Sequence, residues 1–273
     1  MLENSGAFHD FEHQGWQKAA VHYGRGFGEL TKQSVATLLD AVRAGTGTRL
    51  LDVACGPGYV TAAAAARGYS ATGIDFSAEM LAIAAADNPS VEFLEGDAES
   101  LAFEDSTFDA VVMNYGMLHL ARPERAIAEA HRVLRPAGRY AFTVWDLPER
   151  TVGFDIVLHA IQTHGDMNVP LPPGPPFFRF SDPAESSRAL ASAGFVEIRV
   201  THASQLWRLH SGEELFSTMR TAAVRTAALL NMQNPGALGR IEAEIVARAE
   251  TYRKGNVIEL PMPAVLASAV RAA

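Results

Sequence analysis

The residues best suited to chemistry lie in "LLDVACGPGYVT", Leu50 to Thr61. An apolar run carries Asp52, and a short loop with Gly56 and Gly58 leads into a helix start. This is the grammar of a nucleotide-binding loop, where backbone N–H groups at a helix N-terminus face the ligand. The dinucleotide fingerprint G-x-G-x-x-G/A is only partly met, because Thr61 stands where the third small residue belongs. Pro57 lacks an N–H and so removes a donor from any anion nest. Asp52 lies four residues before Gly56, and a carboxylate at short range repels a pyrophosphate. The loop therefore suits a nucleoside without phosphates and with positive charge nearby.

S-adenosylmethionine meets that description, with an adenosine, a sulfonium cation and an amino-acid tail. Asp52 is expected to face the ammonium side, directly or through water. The glycines let the backbone approach the tail and ribose. Asp75 falls at the end of the second predicted strand, 19 positions after Gly56, where an acid accepts from ribose hydroxyls. Asp97 ends the third strand and is expected to accept from the adenine amino group, with the Ala98 N–H donating to a ring nitrogen.

The elements that must position these residues follow from patterning. Strand-like runs occur at 49–54, 69–76, 91–97, 108–114 and 138–145. Helix-like stretches at 59–68, 77–88 and 122–138 alternate with them. The first is alanine-rich and stops at glycine, the second opens on Ser77 as N-cap, and the third stops at Pro136 and Gly138. The alanine face Ala62 to Ala66 favours close approach of its helix to a sheet. Strand–helix–strand alternation with short loops predicts a parallel sheet covered on both faces, with its ligand at the carboxyl ends of the strands.

Beyond Trp145 the pattern loosens. Residues 170–183 are too proline-rich for regular structure. A helix and strand follow over 183–203, then two amphipathic helices, then an apolar tail with the character of a final strand. Such insertions at the ligand end form lids or substrate walls, with an oligomer interface as the alternative.

Four linked stretches, "LLDVACGPG", "GIDFS", "GDAESLAFEDSTFDAVVMNYGMLHL" and "RVLRPAGR", together resemble the class I S-adenosylmethionine-dependent methyltransferases. They are most similar to the ubiquinone/menaquinone-biosynthesis-like group, the type 11 methyltransferase domain. The resemblance spans about residues 50–145 and implies a doubly wound, mostly parallel seven-stranded sheet. It implies one domain over 1–273, with a helical segment at 1–45 over the cofactor and a cofactor core at 46–145. Lid insertions are expected at 146–180 and 207–256. Ala54 departs from the glycine frequent in the family, and a slightly less open loop is expected. The segment "WQKAAVHYGRGFGELTKQ" resembles the family's N-terminal helices, with Tyr23 and Thr31 nearest the methionine end. Phe76, Met80 and Asn114 complete the cofactor set implied by the matching motifs. Trp16, Tyr23 and Tyr115 are candidates for cation–π contact with the sulfonium, although Trp16 suits ordinary packing equally.

Methyl transfer is an in-line displacement, so the protein supplies orientation, desolvation and, where needed, a base. "NYGMLHL" at 114–120 follows the fourth strand and is expected to face the transferring methyl. It lacks the N-P-P-Y pattern of enzymes acting on exocyclic amino nitrogens, which disfavours nucleobase and glutamine acceptors. His119 is the candidate base and Tyr115 a second catalytic candidate, with helix capping as the alternative role for His119. His159, His164, His202 and His210 are weaker candidates. No metal-ligand spacing is seen, and Cys55 has no paired base. Phe177, Phe178, Phe180, Trp207, Phe216 and Met219 make the insertions aromatic-rich, which favours an apolar or aromatic small molecule.

The composition agrees with this reading. The formal net charge is -8 over 273 residues, a poor footprint for nucleic acid. Cys55 is the one cysteine, so no disulfide can form within the chain. No membrane span or signal peptide is read, and the cytosol is the expected compartment. Monomer and homodimer both remain open. The alternatives are a non-methylating relative such as a cyclase, or a cofactor-sensing module. A nicotinamide oxidoreductase is argued against by the loop.

Overall fold

The computed structural model describes residues 3–273. The chain opens with α1 (Glu3–Tyr23), a π-helical turn (Gly24–Gly28), α2 (Glu29–Thr31), a 3-10 turn and α3 (Val35–Ala41). The alternating core then runs β1 (Arg49–Val53), α4 (Tyr59–Ala66), β2 (Ser70–Asp75), α5 (Ala78–Asp87), β3 (Glu92–Glu95) and β4 (Phe108–Asn114). It continues through α6 (Pro123–Val133) and β5 (Leu134–Trp145). After α7 (Val152–His164) come α8 (Pro183–Ser192) and β6 (Phe195–Ala203). The last part contains β7 (Leu206–Leu209), α9 (Gly212–Thr221), α10 (Arg225–Asn231), α11 (Pro235–Glu250), β8 (Arg253–Lys254), β9 (Val257–Pro261) and β10 (Ala264–Arg271).

The main sheet has seven strands in the order β3-β2-β1-β4-β5-β10-β6. The pairs from β3 to β5 are parallel, and β10 runs antiparallel to both β5 and β6. Covered on both faces, the central strands read as continuous apolar runs. Leu51, Val53, Val111 and Met113 enter one core, while Leu50, Ala110 and Val112 enter the other with α3 and α4. In α4, Ala64 is fully buried, consistent with the close approach expected of an alanine face. Ser77 caps α5 by accepting from the Met80 N–H at 3.3 Å.

Three expectations need correction. The third helix ends at Val133, not Gly138, because Pro136 cannot donate within a helix and Ala137 takes a φ of +62°. The segment instead enters β5, with an irregular pairing to β4 near Phe108. The tail is two strands, since the run breaks at Met262 and Pro263, and only β10 joins the main sheet. The late insertion is not wholly helical: β7, β9 and β8 form an antiparallel three-stranded sheet under α9–α11. Ile258 and Leu260 alternate inward on that sheet and are fully buried.

The N-terminal segment sits tightly against this insertion. A Cβ added to Gly15 would lie 2.3 Å from a Val224 methyl, and one on Gly26 would lie 2.6 Å from Thr218 Cγ2. Glycine at these points lets α1 and the π turn touch α9 and the chain entering α10.

Candidate functional site

Strand order reverses direction of growth at β1, which is flanked by β2 and β4. A cleft opens there at the carboxyl ends, as doubly wound sheets dictate. It encloses about 750 Å³, counting the part open to solvent.

The floor is built from backbone shapes. The loop after β1 places Ala54 at φ +54°, Gly56 at +53° and Gly58 at +80°. An alanine in the left-handed region is strained, by about 1 kcal/mol or more. Ala54 thus does more than narrow the loop: it holds the glycine-like backbone without glycine. A Cβ on Gly116, after β4, would lie 2.7 Å from the Ala54 Cβ. The extra methyl at 54 is thus matched by the missing one at 116. Tyr115 is likewise held at φ +58°. A Cβ on Gly56 would meet nothing within 4 Å, so its open face looks into free space.

Asp75 ties the floor together. Its Oδ2 accepts the Gly56 N–H and its Oδ1 the Ser77 N–H, both at 2.8 Å. Burial is the larger influence and pushes its pKa up to about 6, against those hydrogen bonds. Each oxygen keeps lone pairs for a hydroxyl donor. The Gly56 N–H, which a phosphate would need, is already engaged. Phe76 and Met80 line the cleft beside it.

Asp52 lies elsewhere than expected. It is fully buried, does not line the cleft, and accepts the Thr61 hydroxyl at 2.6 Å. Its Oδ1 has no hydrogen-bond partner, and burial pushes its pKa up to about 7. Asp97 and Ala98 also fall outside the lining. Asp97 Oδ1 accepts the Glu99 N–H at 2.8 Å, and its Oδ2 lies 3.4 Å from His9 Nε2 on α1. His9 and His13 pack against the Phe76 ring at centroid distances of 5.8 and 5.2 Å.

Tyr23, Thr31 and Asn114 form one wall. The Tyr23 hydroxyl donates to Thr31 Oγ1 at 3.3 Å. Asn114 donates to the Thr31 carbonyl at 3.2 Å, and its Oδ1 accepts from Ser34 at 2.8 Å and Thr143 at 2.5 Å. Tyr115 stacks on Trp145 at 4.1 Å, and its hydroxyl lies 2.6 Å from the Gln205 amide. Burial drives the Tyr115 hydroxyl well above the ordinary tyrosine range, so it stays a neutral phenol. Tyr115 stands in the cleft lining beside Trp145. Cys55 is buried, with its thiol pushed up by burial first and then by Asp75 and Asp52.

His119 lines the cleft in a 3-10 turn after β4. Its Nδ1 lies 2.9 Å from Glu12 Oε2, and its ring meets Trp16 edge-on at 4.8 Å. Glu12 Oε1 accepts from Arg225 Nε at 2.7 Å. Sequence reasoning missed both partners. Glu12 is one acid in an unremarkable "HDFEHQ", and Arg225 reads as the solvated side of an amphipathic helix. Phe27, Trp145 and Phe154 were also missed as cleft residues. Of the lid aromatics singled out, Phe177 lines the cleft. Phe178 packs at the core edge; Phe180, Phe216 and Met219 are core; and Trp207 stacks on Phe27 at 4.9 Å. His159, His164, His202 and His210 do not line it, and His202 pairs with buried Asp146 at 2.9 Å.

The donors suit S-adenosylmethionine. Acceptors and aromatic faces line the cleft, a glycine face lies open, and Arg225, the one permanent cation among the lining residues, is matched by Glu12. No cluster of three metal-ligating side chains occurs among the described residues.

The fold is a doubly wound, mostly parallel sheet with a cleft at the carboxyl ends of its central strands. Residues 51–142 match the model of the methyltransferase domain family. It is 35% identical over 128 residues to the demethylmenaquinone methyltransferase of Renibacterium salmoninarum, covering 45% of this chain and 54% of that one. It is 36% identical over 129 residues to the malonyl-[acyl-carrier protein] O-methyltransferase of Pectobacterium atrosepticum, covering 47% and 51%. The chain spans about half the length of the curated relatives it matches. The YcgJ protein of Bacillus subtilis shares the fold, with a TM-score of 0.55 at 20% identity over 88% of this chain and 98% of that one. No helix among the described residues is long and apolar enough to cross a membrane.

Proposed function

We propose that this protein transfers a methyl group from S-adenosylmethionine to a small, apolar or aromatic metabolite. The observation that carries this is the cleft itself. Asp75 and the open glycine face share it with Trp16, Phe27, Tyr115, Trp145, Phe154 and Phe177. When bound, S-adenosylmethionine supplies an electrophilic methyl carbon and leaves as a neutral thioether. Asp75 would accept from the ribose hydroxyls, with Phe76 and Met80 against the adenosine. Tyr23, Thr31, Ala54, Gly56 and Asn114 would surround the methionine end, with Gly58, outside the lining, shaping the loop. Asp52, beneath the floor, would act on that end through the loop. Asp97 and Ala98 would serve the adenine after α1 shifts His9. His119 would take the acceptor's proton.

The matched relatives are named for acceptors as different as a demethylmenaquinone and a malonyl-carrier protein. Support for the acceptor class therefore comes from the aromatic walls, not from the shared domain. The paired lining charges and the overall charge of -8 favour a small neutral molecule over nucleic acid. The single cysteine suits a reducing, cytoplasmic setting.

The test is transfer of label from methyl-labelled S-adenosylmethionine into a small-molecule metabolite extract. Label in low-molecular-weight product is expected. Calorimetric binding of NADH without S-adenosylhomocysteine would sink the assignment.

A further inference from the structure

Glu12 is a fully buried acid on α1, and a carboxylate there is costly unless its oxygens are paired. Both are. Oε1 takes Arg225 Nε at 2.7 Å, and Oε2 faces His119 Nδ1 at 2.9 Å. Arg225 is anchored on three sides: besides the Nε bond, Nη1 donates to the Pro175 carbonyl at 2.7 Å and Nη2 to the Leu118 carbonyl at 2.8 Å. Its guanidinium also lies over the Phe8 ring at 4.3 Å. One carboxylate thus joins α1, the turn after β4 and the lid. A clasp between α1 and the lid needs only the Arg225 side. The second oxygen is turned to the histidine that lines the cleft.

Resting on the methyl-transfer reading, we propose that Glu12 is a positioning residue that fixes the tautomer of His119, and that the acceptor arrives un-ionised, with a proton on its attacking atom. A carboxylate only accepts, so the proton of His119 sits on Nδ1. Nε2 is left as the acceptor nitrogen for the cleft. Trp16 at 4.8 Å and Phe177 at 5.8 Å meet the ring edge-on and hold its plane. With Arg225 already matched, no lining cation remains to hold an anionic acceptor. The class that fits is a flat hydroxyl, enol or amine compound. Its lone pair bonds to the methyl carbon, its proton passes to His119 Nε2, and the carbon–sulfur pair stays with sulfur.

Glu12→Gln separates positioning from clasping. Arg225 Nε keeps the amide oxygen on its own side, so the amide N–H₂ faces Nδ1 and donates to it. The proton of His119 then moves to Nε2, the wrong tautomer for a base. ¹⁵N-histidine long-range correlation spectra of the free protein, assigned with His119→Asn, read this directly. The expected result is the Nδ1–H form in the native protein and the Nε2–H form in Glu12→Gln. Label transfer into the metabolite extract should fall about 100-fold, with S-adenosylhomocysteine affinity unchanged. His119→Asn combined with Glu12→Gln should be no slower than His119→Asn alone. Should Glu12→Gln fail to fold, Glu12→Gln/Arg225→Met removes both charges and should give mixed tautomers with a rate loss of only a few-fold, in proportion to the Nε2–H fraction. An unchanged tautomer, or unchanged transfer, overturns the positioning role. Failure of the native protein to bind S-adenosylhomocysteine defeats the methyl-transfer reading instead.

Discussion

The floor and the roof of the cleft are built by different means. The floor is backbone: the ends of β1, β2 and β4, with Ala54, Gly56 and Tyr115 at positive φ and Asp75 bonding two N–H groups. The roof is α1, the proline-rich loop and the chain entering α10, fastened by side chains. Gln17 accepts the Ser77 hydroxyl at 2.8 Å and the Glu79 N–H at 3.0 Å, while Glu12 reaches His119 and Arg225. On the proposed function, the backbone floor would set where the nucleoside lies, and a roof of side-chain pairs could change its acceptor without disturbing that floor.

The sharpest way to break this division is Asp75→Ala. It removes an acceptor for two N–H groups and for the ribose, and S-adenosylhomocysteine affinity should fall about 100-fold by calorimetry. Native-like affinity would mean that the floor does not hold the nucleoside. Next comes Asp52→Asn, read by denaturant unfolding of the free protein at several pH values. Burial raises Asp52 from 3.8 to about 7, so the folded state binds more protons than the unfolded one between those values. Stability contributed by this group therefore falls as pH rises through that window, by up to about 1.4 kcal/mol per pH unit. Asp52→Asn should flatten that slope and stabilise the protein at neutral pH; an unaltered slope would refute the buried-acid account. The smallest effect is expected of Ala54→Gly, which relieves the left-handed alanine. A gain of about 1 kcal/mol in thermal unfolding is expected, whereas a loss would show that Ala54 is not strained.

What the sequence disclosed divides along the same line. The alternation of strands and helices, the loop 54–58 and Asp75 were legible because each is a local pattern whose spacing matches a backbone geometry. Asp52 was legible as an acid but not as one buried beneath Thr61, since a strand residue's facing depends on what covers it. Glu12 and Arg225 are 213 positions apart, and no periodicity connects them. The three-stranded sheet was hidden because β7 and β8 are only four and two residues long. The lid aromatics read as a substrate wall, yet most are core, because composition does not say which side of a helix meets the sheet.

The position of β10 also bears on how the chain acquires its shape in time. β6 pairs with no strand but β10, and β10 is reached only after the whole of 206–261 has been made. The edge of the main sheet therefore waits on a long detour, and closure of that detour carries the entropy of a large loop. Until then β6 exposes unpaired N–H and C=O groups on both sides, an invitation to pair with another chain. Packing of α11 on α7 and α9, and of β9 on β7, folds the detour back on itself and so holds the ends of β6 and β10 closer than a free loop of that length would.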